Sequence, residues 1–140
     1  LLNELTQTET IVNQLLRDGV LTESLIFRSI CEGKLIFFEI SMAIRAGIPV
    51  INAATIMREG NPAALRSLWR RAKMPESIFE AMSVVINFAV TNLYSNDNRN
   101  NDYRYKLLGN IQENGYDKTI HLMPYIIMLI MSKVQTEDLI

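Results

Sequence analysis

Glu39 is the residue whose position most needs a chemical explanation. It lies in the stretch Leu25 to Pro49, LIFRSICEGKLIFFEISMAIRAGIP. A helical period of about 100° per residue puts it on the apolar side, close in angle to Ala43 and Ala46. A carboxylate there is costly unless it is paired or hydrogen-bonded. The expected solution is a salt bridge to Arg66, Arg70 or Arg71 of a neighbouring helix, or a cap on a neighbouring helix N-terminus. A second reading makes Glu39 a polar group in a groove that receives a partner. A catalytic acid has least support, because spacing puts no second carboxylate or nucleophile beside it.

Other candidate chemistries are thinner. Cys31 and His121 could act as nucleophile and base, but they are far apart in the chain and both lie in apolar runs. One Cys and one His cannot make the usual zinc set, and no Glu-x-x-His spacing suggests a di-iron bundle. No Gly-rich phosphate loop appears. The expectation is therefore no catalytic set, no metal and no cofactor. Arg66, Arg70, Arg71 and Lys73 beside Trp69 could meet phosphate or nucleic acid. The competing reading is a solvated outer face with Trp69 turned inward on Leu65 and Leu68.

The elements that position these residues are helical. The chain has 140 residues, about half of them apolar, which fits one domain spanning 1–140 with its own core. It opens on Leu1 rather than Met, so a domain cut from a longer chain is expected. Formal charge is −1, with no global polyanion-binding signature. The single Cys31 forbids an intrachain disulfide and reads as a buried thiol in a reducing cytosol. The most apolar run, Ile120 to Met131, is far shorter than the roughly 20 residues of a bilayer span.

Eight helices follow from period, caps and breakers. The first carries Leu1, Leu5, Thr8, Val12, Leu15 and Leu16 along one side and stops at Asp18-Gly19. Thr22 caps the second, about Glu23 to Glu32, with Arg28 and Glu32 outside. The third runs from about Lys34 to Ala46; Lys34, Ser41 and Arg45 form its polar stripe, and Phe38 lies near that stripe, facing another helix or a partner. The fourth covers about Val50 to Glu59. The fifth starts at Asn61-Pro62. Pro75 opens the longest, to about Tyr94, whose wide apolar face predicts the core helix. Ser95 to Asn101 reads as a solvated loop. The seventh helix spans about Asp102 to Glu113. The eighth runs from Asp117 to Met131, kinked or broken near Pro124, and residues after Gln135 read as frayed. The pattern predicts an all-α fold of antiparallel helix pairs, a HEAT-like αα-array or a compact bundle. No self-similar repeat stands out.

Four segments carry a resemblance. They are Gly19-Val-Leu-Thr22, Leu25 through Phe37-Phe38-Glu39, Ala46-Gly-Ile-Pro49, and Leu65-Arg-Ser-Leu-Trp-Arg-Arg-Ala72 before Met74-Pro75. Together they resemble the bacterial domain-of-unknown-function family 2336, found mainly in alphaproteobacteria. Lys34 stands where that pattern usually has Asp, and Trp69 where it has Tyr. The resemblance implies an all-helical, HEAT-like domain and brings no catalytic residue with it.

These readings converge on a non-enzymatic protein-interaction module of the bacterial cytoplasm, a scaffold or regulator. Its candidate contact residues are Phe38, Glu39, Arg66, Arg70 and Arg71, and self-association into a homodimer is a further expectation. The alternatives are a nucleic-acid binder using Arg66 to Lys73 and an enzyme centred on Glu39.

Overall fold

Local signals set most helix boundaries. The Thr22 hydroxyl accepts a hydrogen bond from the Leu25 amide at 3.2 Å, and the Asn61 side chain accepts from Ala63 and Ala64 with Pro62 next to it. Each supplies an acceptor to amides that have no partner inside the helix. The computed structural model describes residues 2–93 and 102–132. The expectations for Leu1, the 95–101 loop and the segment after Gln135 fall outside those residues.

The described residues form nine helices and no strand: α1 (Leu2–Arg17), α2 (Glu23–Cys31), α3 (Leu35–Ala46), α4 (Val50–Glu59), α5 (Pro62–Arg71), α6 (Phe79–Leu93), α7 (Asp102–Glu113), α8 (Tyr116–Thr119) and α9 (Met123–Met131). A 3₁₀ turn at Glu76–Ile78 precedes α6. The expected eighth helix is broken into α8 and α9, with Pro124 in the first turn of α9 where its missing N–H costs nothing. Among the described residues, no single helix is long and apolar enough to cross a membrane.

The core helix is α3, not α6 as the apolar width of α6 suggested. α1, α2, α4, α5 and α6 all pack on it. Hence the period-based stripe fails there: Ser41 is fully buried and returns its hydroxyl to the Phe37 carbonyl at 2.7 Å, and Phe38 is fully buried too. Leu16 departs in the other direction, standing half exposed although it shares a seam with Val12 and Leu15. Trp69 is turned inward as expected, stacked on Phe27 and edge-on to Phe79, with its indole N–H donating to the Pro75 carbonyl at 2.6 Å.

A repeat is present after all, confined to two helix exits. Arg45-Ala-Gly-Ile-Pro49 ends α3 and Arg71-Ala-Lys-Met-Pro75 ends α5. Both use a left-handed residue, Gly47 at φ 71° and Lys73 at φ 59°. Both then close with an amide reaching back to the last turn, Ile48 to Ala43 and Met74 to Trp69, each at 3.1 Å. The two arginines exchange places. Arg45 Nε donates to the Ala72 carbonyl at 2.9 Å, and Arg71 Nε donates to the Ala46 carbonyl at 2.8 Å. Each helix thus satisfies the other's terminal carbonyl and puts a cation at its negative end.

Gly47 pays no steric cost for a left-handed backbone, whereas Lys73 does. Lys73→Gly is expected to raise stability by about 1 kcal/mol, and Gly47→Ala to lower it by about 1–2 kcal/mol, read from urea midpoints at unchanged slope.

Candidate functional site

Glu39 is the centre of the candidate site. It is 5% exposed, and its Oε2 is the one buried side-chain polar atom without a hydrogen-bond partner among the described residues. The expected arginines are engaged elsewhere. Arg66 and Arg70 both pair with Glu76, Arg66 also lies 4.7 Å over the Phe79 ring, and Arg71 caps α3. The charge that acts on Glu39 comes instead from Arg58 of α4. Helical period gives an angle on α3 but not which neighbour crosses that angle; α4 does. Burial raises the Glu39 carboxyl from its ordinary 4.5 to about 7, with Arg58 pulling the other way.

A second polar cluster went unread in the sequence. The period puts Arg28 and Glu32 outside α2, yet the Glu32 side chain is only 4% exposed and lies 4.0 Å from Lys34 Nζ. Arg28 Nη1 donates to the Ser132 hydroxyl at 2.7 Å, and Arg104 Nη1 donates to the carbonyls of Ile130 and Ser132. The Tyr103 hydroxyl donates to the Ile30 carbonyl at 3.1 Å. Gly33, at φ 84°, leaves the room this needs: a Cβ there would sit 3.0 Å from the Tyr103 ring. These contacts fasten α7 and the end of α9 to the end of α2. The sequence signal was Gly33 alone, which reads as a helix stop without showing what packs on it.

Cys31 is wholly buried beside this cluster, and burial pushes its thiol up to about 12, with Glu32 adding to the shift. His121 stands exposed in the turn before α9. Two shallow grooves among the described residues, of about 600 and 370 Å³, share Phe88, Asn92 and Asn110, and neither is lined by Glu39 or Cys31. No group of three His, Cys, Asp or Glu able to hold a metal is present among the described residues. The outer side of α9 is different in kind. Pro124, Met128 and Met131 are exposed in steps of four and three, so they form one stripe. Met128 is 59% and Met131 66% exposed.

The fold is thus an all-helical array with the Glu39 carboxyl buried at its centre and its basic helix tied to neighbouring elements. The chain belongs to a family of uncharacterised proteins conserved in bacteria, the domain-of-unknown-function family 2336, whose model matches residues 2–105. The match ends in α7, so α8 and α9 lie beyond it. No curated protein and no solved structure matches the chain.

Two outcomes follow from the buried groups. In the unfolded chain Glu39 releases its proton near 4.5, and in the folded chain near 7. The folded state therefore binds more protons between those values. The stability this gives is complete below the lower value and is lost as pH rises through the upper one. Glu39→Gln is expected to remove that slope and to exceed the parent protein by roughly 2–3 kcal/mol at pH 8, measured by denaturant unfolding across pH. Cys31 is expected to resist an aromatic disulfide reagent in the native protein and to react once in denaturant, at a rate that follows unfolding.

Proposed function

We propose that this chain is a non-enzymatic protein-interaction module, a scaffold or regulator acting in the bacterial cytoplasm. The observation that carries the reading is the Pro124–Met128–Met131 stripe. Half-buried Tyr125 and Ile127 flank it and connect it to the core. Met side chains adapt to differently shaped partners, and a stripe at this spacing accepts the apolar face of another helix. The free, buried Cys31 is in keeping with a reducing compartment.

The residues first favoured for contact suit the role less well. Phe38 is enclosed by the core and Glu39 is buried. Arg66, Arg70 and Arg71 are held by Glu76 and the Ala46 carbonyl, which also weakens the nucleic-acid alternative. An enzyme centred on Glu39 would need an open site and a second titratable group beside the acid. The packing offers a closed one with Arg58 as its charged neighbour.

A Met128→Lys/Met131→Lys double variant tests the reading. Both side chains are exposed, so stability is expected to stay within about 0.5 kcal/mol. Affinity capture from the source bacterium, read by mass spectrometry, is expected to lose its partner in the variant. Light scattering on the same pair shows whether the partner is a second copy. Retention of the partner by the variant would move the interface elsewhere, and a salt-sensitive shift of DNA or RNA by the pure domain would favour the nucleic-acid reading.

A further inference from the structure

We propose that the trough between α6 and α7 binds an extended, basic peptide segment of another protein, laid against the bare helix backbone at Gly109. The two grooves described above adjoin, since they share Phe88, Asn92 and Asn110. Their walls are two helical stripes. Val84, Asn87, Phe88, Thr91 and Asn92 lie along one side of α6, and residues at the same three-and-four spacing from Asp102 to Glu113 lie along one side of α7. Gly109 is the observation that points to a ligand. It sits inside α7, where glycine is less stable than alanine. Every other glycine of the chain takes a left-handed backbone. Gly109 does not, and a Cβ built on it meets nothing within 4 Å. Neither backbone conformation nor internal packing asks for glycine there. The missing side chain instead leaves room for something from outside to approach the helix.

The dimensions select the occupant. From Asp102 to Glu113 α7 rises about 16 Å, the length of about five extended residues. Spread over that length, the larger groove's volume of about 600 Å³ gives a cross-section of about 40 Å². One extended chain fits it, and a helix about 10–12 Å across does not. The polar groups suit a peptide as well. Asn92 gives one N–H to the Phe88 carbonyl at 2.8 Å, whereas the Asn87 and Asn110 carboxamides make no hydrogen bond among the described residues. Each offers the donor and the acceptor that a peptide unit needs. Half-buried Phe88, 5.5 Å from the Tyr103 ring, supplies an apolar floor, and Tyr105, 77% exposed, supplies a rim. Asp102 and Glu113 mark the ends of the α7 wall with only Lys106 between them. Carboxylates therefore outnumber cations, and the trough favours a segment carrying Lys or Arg. The inference does not rest on the α9 interface.

A displayed library of random heptapeptides, selected on the full 140-residue chain, tests the assignment. Enriched sequences are expected to carry Lys or Arg beside an apolar residue, and synthetic copies are titrated by fluorescence anisotropy. Gly109→Ala is expected to weaken their binding about tenfold or more while raising the thermal midpoint by roughly 2–6 °C. Asn110→Ala is expected to weaken binding with little change in that midpoint. The Met128→Lys/Met131→Lys variant is expected to bind the peptides as the parent does. No enrichment over the bare support, binding that survives Gly109→Ala, or binding lost in the α9 double variant would each overturn the proposal. So would a lower midpoint in Gly109→Ala, which would make the glycine a requirement of the fold. A Gly109-dependent signal from oligosaccharides on a glycan array, with no peptide enriched, would overturn it in favour of a sugar.

Discussion

A helix packed by neighbours on all sides has nowhere to put a polar group, and α3 is such a helix. Five elements pack on its twelve residues. That constraint explains its composition, almost wholly apolar from Leu35 to Ala46, and it explains how the polar exceptions are handled. Ser41 turns its hydroxyl back onto its own helix. The Ala46 carbonyl, which has no partner within α3, receives the Arg71 guanidinium. Glu39 Oε2 has no such answer, and burial raises its carboxyl to about 7, so that the neutral form predominates only below that pH.

The reciprocal arginines extend that logic to a second helix. Burying the exits of α3 and α5 together would leave two sets of terminal carbonyls unsatisfied and two negative dipole ends side by side. Exchanging Arg45 and Arg71 resolves both problems with one residue from each helix. This ties the exposed Arg71 to the end of α3, and Glu76 pairs with both Arg66 and Arg70. A helix that reads as a basic patch in one dimension is largely a structural fastener in three.

The remainder of the molecule is hung on this centre from the other side. Tyr103 over Gly33, and Arg28 and Arg104 around Ser132, secure α7 and α9 to the end of α2. That fixes one face of α9 against the core and leaves Met128 and Met131 outward. An apolar helix beyond the family-matched region, anchored by arginines and exposing thioethers, is the feature on which the interaction reading rests.

Short-range features were decided by the residues themselves. The caps at Thr22 and Asn61, the left-handed stop at Gly47, the break at Pro124 and the inward Trp69 each depend on a few neighbouring positions, so they can be read along the chain. The all-helical class follows from period in the same way. What the fold alone decided was which faces meet. Period assigned an angle to Phe38, Ser41 and Glu32 but could not show that these angles are covered, because coverage depends on helices distant in the chain. For the same reason it named the wrong arginines for Glu39: charge type is local, but the choice of Arg58 over Arg66, Arg70 or Arg71 is set by how α4 crosses α3 and by the carbonyls and carboxylate that had already taken the others.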